Sequence, residues 1–336
     1  MNKALRTIAG APETITVVLL IAAFAVSAII TPEFRDARYL LRQTPDFAEI
    51  GIMALTMTLV IVAGHIDLSV ASGMALVACL CARLYAAHVS MSLLVPLALV
   101  FGMILGLFNG VLIAFLRLPS LVVTLGTLAL YRGVAQVLVG DRGIGGFPRW
   151  FKGWDRIRLF ESIPAPLILL VVLAVIVALV LHKTTLGRKI YAVGTNEAAA
   201  KFSGIRTHRL VLTVFLLSGL AMGIGALLSM SRLGVAQYKI GVGDELAVIT
   251  AVVLGGTSIF GGRGTIFGTM AAWLLLFALR AGMELREVAS QKQMAVTGSI
   301  LVMSVILANL SAKLGAGRKP PSAKAQPVPQ GAGAPP

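Results

Sequence analysis

TTLGRKIYAVGTNEAAAKFSGIRTHR, residues 184–209, is the longest polar interruption in the second half of a chain otherwise written in apolar runs. It carries five basic residues, Arg188, Lys189, Lys201, Arg206 and Arg209, against one acid, Glu197. Its middle reads as a short helix. Asn196 is a capping residue, Ala198, Ala199 and Ala200 are strong helix formers, and Gly204 is a stop signal. Glu197 and Lys201 stand four apart in the favourable order, a pairing that contributes about 0.2–0.5 kcal/mol. Two turns of helix do not hold on their own in water. Something outside must hold this one, and its Ala and Phe202 surface points to a partner protein. A solvated, positively charged cytoplasmic loop is the competing reading.

The flanks decide the fold class. With 57% hydrophobic residues, 13% charged residues and a mean hydropathy of +0.91, the composition excludes a soluble globular protein. Lipid must serve as solvent, and the expectation is an all-α membrane protein, a polytopic bundle. A bilayer core about 30 Å thick needs about 20 apolar residues in a helix. That ruler marks ten spans, roughly 14–30, 47–63, 70–87, 93–115, 120–139, 164–181, 210–231, 245–260, 266–283 and 294–311. The first is read as a retained helix rather than a cleaved signal, because further spans follow. The joins at 64–69 and 261–265 are too short for relaxed loops and mark broken or re-entrant helices. The domain plan is then a cytoplasmic segment at 1–13, a transmembrane domain at 14–312 and a disordered Pro- and Gly-rich tail at 313–336.

The net charge of +15 does not point to nucleic acid. The basic residues lie in the gaps between apolar runs, with no aromatic and basic platform, and they fit membrane topology and anionic headgroups. Lys and Arg fall nearly evenly on the two sides, so the positive-inside rule alone does not orient the chain. The basic N-terminus, the 184–209 loop and the basic tail favour both termini in the cytoplasm, and the even number of spans agrees. Cys79 and Cys81 lie two apart in an apolar run and face different ways, which excludes a disulfide between them and suggests packed small residues.

Helix contacts are marked by glycines four apart, Gly102, Gly106 and Gly110 in the fourth span and Gly219 and Gly223 in the seventh. Polar groups at membrane depth are the functional candidates. His65, Asp67 and Ser69 sit between two spans, as pathway or gate residues or as a helix cap. Glu49 lies near the outer end of the second span, interfacial or pore-lining. Arg132 should face a wet cavity or an acid. Gln136 lies one turn further on the same face and Asn109 is buried in the fourth span, placed to bind a hydroxylated solute or to act as interhelical glue. The run VLGGTSIFGGRGTIFG, residues 253–268, has no Lys-Ser/Thr after its glycines and is no phosphate loop. Its Gly255, Gly256, Gly261, Gly262 and Gly264 instead permit a tight helix reversal. No catalytic, metal or cofactor motif is found in a supporting context.

Three blocks together resemble the inner-membrane permease subunits of ATP-binding-cassette importers for simple sugars, the ribose, arabinose, rhamnose and autoinducer-2 type. They are GHIDLSVASG at 64–73, GRKIYAVGTNEAAAKFSGI at 187–205 and AVVLGGTSIFGGRGTIFGT at 251–269, with LPSLVVTLGTLALYRGVA at 118–135 also similar. The resemblance departs at His65 and Ala71, where glycine is usual. It implies that Gly187, Arg188, Gly194, Asn196, Glu197, Ala198, Ala199, Lys201 and Gly204 belong to a coupling loop seated on a cytoplasmic ATPase. It also implies a second permease subunit, an extracytoplasmic sugar-binding protein, a bacterial inner-membrane location and transport by alternating access, with no cofactor of the chain's own. The rival class is an ion-coupled secondary transporter using Asp67 or Glu49 as its acid.

Overall fold

The computed structural model describes residues 12–154, 157–159 and 163–316. The tail expected at 313–336 lies outside the described residues beyond 316, as does most of the segment at 1–13. The chain is helical almost throughout. In order come α1 (Pro12–Ile30), a 3-10 turn at Pro32–Arg35, α2 (Ala37–Gln43), α3 (Pro45–Val62), α4 (Val70–Ala86), α5 (Met91–Ala114) and α6 (Ser120–Val139). After three two-residue strands, β1 (Ile144–Gly145), β2 (Arg158–Leu159) and β3 (Ile163–Pro164), follow α7 (Ala165–Lys183), α8 (Thr185–Thr195), α9 (Glu197–Phe202) and α10 (Thr207–Leu233). Strand β4 (Val235–Ala236), α11 (Asp244–Leu254), α12 (Ile266–Leu285) and α13 (Ser290–Ala316) complete it.

Six helices, α3, α5, α6, α7, α10 and α12, are long and apolar enough to cross a membrane; α1 and α4 carry shorter apolar stretches. A helix lies over each expected span, but among the described residues the six above alone have the length and hydropathy of a full crossing, so the expected ten are matched only as helices. The eighth was expected over 245–260, but α11 stops at Leu254, because Gly256 turns into the left-handed region at φ +88 and the Thr257 amide returns to the Val252 carbonyl at 3.2 Å, while Gly255 packs against Gly268 where no side chain fits. At about 1.5 Å per residue, eleven residues fall short of the bilayer core.

Helices α3, α4 and α10 form the interior, and their apolar residues are buried almost from end to end. Helix α7 is the opposite case. It buries Pro166, Leu170 and Leu181, while Val171, Val172, Val175, Ile176 and Leu179 face outward. Apolar side chains directed away from the core are what a lipid solvent requires. The most extensive helix contact is between α5 and α10. There a Cβ on Gly102 would strike the Gly219 carbonyl and come within 2.7 Å of the Gly223 nitrogen, so the expected glycine spacing does set a close backbone approach. Trp273 of α12 is buried and donates from Nε1 to the Phe47 carbonyl at 2.9 Å, fixing α12 to α3. Cys79 and Cys81 are free and buried, as expected of packed small residues.

Candidate functional site: a helical foot and a glycine joint

The 184–209 segment is more ordered than its polarity suggests. Its first part forms α8, a helix not foreseen from the sequence although Leu186, Ile190 and Val193 recur at the i, i+4, i+7 spacing of an amphipathic helix. Ile190 and Val193 supply the face that α8 buries. Thr184 caps α8, accepting from the Gly187 amide at 3.4 Å, and Gly187 presses on the end of α7, where a Cβ would meet the Val180 and Leu181 carbonyls. Asn196 then caps α9, its Oδ1 accepting from the Ala199 amide at 2.9 Å. Gly204, at φ +83, ends it, and the Ile205 amide returns to the Ala200 carbonyl at 3.1 Å. Both expected end signals therefore act. The expected ion pair does not: Glu197 and Lys201 are exposed and share no salt bridge. Solvated side chains gain too little from such a pair to hold one geometry.

Helix α9 is held on one side only. Ala200 is buried, whereas Ala198, Ala199 and Phe202 are exposed, Phe202 to 93%. Arg188 and Lys189 on α8 and Arg206 and Arg209 beyond α9 are exposed around it. The result is a small apolar face rimmed by positive charge.

The three sequence blocks meet directly behind this foot. The Gly262 amide donates to the Val62 carbonyl at 2.9 Å, closing the end of α3 onto the α11–α12 reversal. Gly194 sits against that bond, where a Cβ would lie 2.7 Å from the Gly262 nitrogen and 2.9 Å from the Val62 carbonyl carbon. Gly261 fits against Gly64 and the Gly194 carbonyl, where a Cβ would come within 2.8–3.0 Å. The Tyr191 hydroxyl donates to the Gly264 carbonyl at 2.6 Å. Backbone touches backbone at this joint, and glycine is needed because no side chain fits.

The candidate pathway residues divide into two groups. Asp67 is fully buried between α3 and α4. Its Oδ1 accepts from the Ser69 amide at 3.0 Å and the Ser69 hydroxyl at 2.6 Å, and its Oδ2 from the Ser218 hydroxyl of α10 at 2.8 Å. Asn109 of α5 donates to the Ser69 hydroxyl at 2.8 Å, and the Tyr131 hydroxyl of α6 lies 3.4 Å from Asn109 Oδ1. The break is also tied to the start of α6, with the Ile66 amide donating to Ser120 Oγ at 3.2 Å. All donors to Asp67 are neutral, and the array satisfies the backbone freed between two helices. His65 stands at the foot side of this break. Burial lowers its imidazole below the ordinary range, and the nearby Glu197 carboxylate acts in the opposite sense.

Arg132 and Gln136 belong to the other end of the bundle. Arg132 Nη1 donates to the Tyr238 and Ile240 carbonyls at 2.5 and 2.6 Å, and Gln136 donates to Asp141 at 3.4 Å. Arg132 is thus held by two carbonyls of the short β4–α11 loop and makes no direct ion pair, while the Glu245 and Asp244 carboxylates at the start of α11 lie near enough to act on its charge.

Sequence reasoning also missed the partner of Glu49. Arg232, in the last turn of α10, bridges Glu49 Oε1 at 2.5 Å and Asp46 Oδ1 at 3.2 Å, and Glu49 is buried. Glu49, near the start of α3, is therefore buried against Arg232 rather than exposed. A basic residue ending one apolar run and an acid opening another was the available signal. Among the described residues no three His, Cys, Asp or Glu side chains gather as metal ligands would.

Comparison with known proteins places these features. The model for the permease component of branched-chain amino acid transport systems matches residues 40–305. The chain is 36% identical over 294 residues to the autoinducer 2 import system permease protein LsrD of Escherichia coli strain K12, covering 86% of this chain and 89% of that protein. The LsrD proteins of Shigella flexneri and of Salmonella paratyphi A are equally similar, at 36% identity and 86% of this chain. No solved structure matches.

Proposed function

The chain belongs to the family of permease components of branched-chain amino acid transport systems, and from that premise we propose that it is the membrane-spanning subunit of an ATP-binding-cassette importer for a small sugar-like solute. It works in the bacterial inner membrane. Ten helices cross or enter the bilayer, α11 only in part, and both termini lie in the cytoplasm. The foot formed by α8 and α9 seats on a partner ATPase, a second permease subunit completes the path, and an extracytoplasmic binding protein delivers the solute.

The observation that carries this reading is the convergence of Val62–Gly64, Gly194 and Gly261–Gly262 behind an exposed Phe202. A motor bound at Phe202 pushes on α9. The backbone contacts at Gly194 pass that push to the ends of α3 and α4 and to the α11–α12 reversal without a soft side-chain layer between. Asp67 and Ser69 then act as a hydrogen-bonded hinge rather than as a solute contact, since their polar atoms are already engaged.

The test is uptake into proteoliposomes containing this chain, its ATPase and its binding protein. Uptake should need ATP on the foot side, stop with vanadate and survive a protonophore. Collapse with a protonophore, together with persistence when ATP hydrolysis is blocked, would instead establish the ion-coupled reading.

A further inference from the structure

The proposed function leaves open where the solute touches this chain. A charged group at the depth of the apolar layer is costly to leave against lipid, so part-exposed charges there mark a side that faces water. Such a group of residues stands at the start of α11.

Helix α11 begins inside the bundle rather than at its outer edge. The loop from β4 turns inward through Gly241 and Gly243, both at positive φ. A Cβ on Gly241 would lie 2.7 Å from Met74 Cε and 3.5 Å from Ala71 Cβ, in the first two turns of α4. Met74 in turn meets Gly225, about two turns and 12 Å below the outer end of α10 at Leu233. A Cβ on Gly243 would lie 3.1 Å from Met294, one turn inside α13. Arg132 holds this loop through the Tyr238 and Ile240 carbonyls. Along α6 it sits between exposed apolar side chains, Leu125 and Leu130 to one side and Val134 and Val137 to the other. Asp244 and Glu245, in the first turn of α11, are therefore carboxylates at the depth of the apolar layer.

Their oxygens are not all used. Asp244 is part-exposed and makes no ion pair among the described residues, although Arg132, Arg232 and Arg280 lie near enough to act on it. Glu245 Oε2 has no hydrogen-bond partner among the described residues. Neither has Oε2 of Glu49, a residue only 3% exposed whose Oε1 is held by Arg232. Buried polar atoms are nearly always bonded, so acceptors left over together in a transporter are ones that another state gives to water or solute. The neighbouring face of α6 is open, since a Cβ on Gly126 or Gly133 would meet nothing within 4 Å.

We propose that this open face of α6 and the start of α11 form the polar wall of the solute pathway, where the Asp244 and Glu245 carboxylates and the Arg132 guanidinium bind an uncharged, polyhydroxylated solute. Carboxylates accept from neighbouring hydroxyls and a guanidinium donates to them. With Asp46 and Glu49 behind, acids outnumber the Arg132 and Arg232 cations, and the wall repels an anion. The inference rests on the importer reading above, in which a second permease subunit encloses this face.

The experiment uses the whole importer in proteoliposomes, with Gly133→Cys placing a thiol where the new side chain meets nothing. Cys79 and Cys81 are buried, and the parent importer is the blank. Labelling by two water-soluble methanethiosulfonates, one cationic and one anionic, is timed with and without ATP and vanadate. The cationic reagent should react at least about tenfold faster, since a cleft lined by one sign of charge raises association by about 10- to 1,000-fold. Adding Asp244→Asn and Glu245→Gln should bring the two rates together, and Glu245→Gln alone should narrow the gap by less, which keeps the test in force if the double change fails to assemble. At least one of the neutral sugars ribose, arabinose, rhamnose and glucose should slow the labelling, gluconate should not, and the acid substitutions should abolish the protection. Labelling by membrane-permeant N-ethylmaleimide alone overturns the inference and makes the face a lipid or subunit contact. A rate ratio unmoved by the acid substitutions overturns it too, as does labelling that no neutral sugar slows. These results leave the importer reading intact; that reading fails separately if uptake by the parent resists vanadate.

Discussion

Gly194→Ala is the substitution to which the joint should be most sensitive. The new Cβ would lie 2.7 Å from the Gly262 nitrogen and 2.9 Å from the Val62 carbonyl carbon, where ordinary contact begins near 3.4 Å. Both neighbours are backbone atoms, and they are hydrogen-bonded to each other. Neither can rotate aside as a side chain would. Overpacking of this kind costs about 1–3 kcal/mol, and losing the Gly262–Val62 hydrogen bond adds about 0.5–1.5 kcal/mol. Together they give about 1.5–4.5 kcal/mol, an equilibrium shifted by about 10- to 1,600-fold at the tenfold-per-1.4 kcal/mol exchange. Because the wedge falls between foot and bundle, ATP hydrolysis should lose its hold on uptake while the ATPase still copurifies. Gly204→Ala is the internal control. It meets nothing within 4 Å and suffers only its positive φ, worth about 1–2 kcal/mol and confined to the end of α9. The assay is solute uptake per ATP hydrolysed in proteoliposomes, alongside thermal melting in detergent. Parental coupling and melting in the Gly194 variant, or a larger defect at Gly204, would refute the joint.

Phe202→Ala should leave the melting temperature unchanged, since the ring is 93% exposed, yet weaken copurification with the ATPase, checked by pull-down at rising salt. Arg232→Gln strands the buried Glu49 carboxylate, and breaking such a pair costs about 3–5 kcal/mol. Adding Glu49→Gln should recover part of the loss, read as a double-mutant cycle of melting temperatures. Gly219→Val would drive a side chain into the Gly102 carbonyl and the Gly106 Cα, so α5 and α10 should part and folded yield should fall sharply on gel filtration. Gly126→Val, which meets nothing within 4 Å, should not lower that yield.

Much of this architecture was legible because lipid imposes a strict length rule and because helix ends carry local signals. Asn196 and Gly204 bracket α9 as their residue types require, and Gly102 and Gly219 announced the α5–α10 contact. What could not be read was anything set by tertiary partners. That Gly255 packs against Gly268 is such a case, whereas the early end of α11 follows from Gly256 at φ +88, a local signal like that at Gly204. Helix α8 was legible and missed, since Leu186, Ile190 and Val193 stand at helical spacing beside the basic pair Arg188 and Lys189 that drew attention to the loop's charge. Arg132 shares a helix with Tyr131, but it bonds a loop more than a hundred residues away in sequence, at Tyr238 and Ile240. Arg232 was passed over because a basic residue at a helix end reads as an interfacial anchor until Glu49 is found beneath it.

The two sides of the 63–69 break are held by opposite kinds of contact, and that difference bears on how a push is transmitted. At Gly64 the break has no side chain and meets Gly194 and Gly261 through backbone alone, so displacement of the foot is felt there directly. At Asp67 and Ser69 it is held by side-chain hydrogen bonds to Ser218 on α10 and Asn109 on α5. Such bonds are directional and, when buried, are costly to leave unmade. On the proposed coupling role, a displacement entering at Gly64 should therefore be passed to α5 and α10 more readily than it is absorbed by the break. Those two helices lie backbone to backbone along Gly102, Gly106, Gly219 and Gly223, where sliding is easier than separation. The foot, the glycine joint and the Asp67 array thus form one mechanical line through the bundle, with Arg232, Asp46 and Glu49 fastening the far end of α10 to α3.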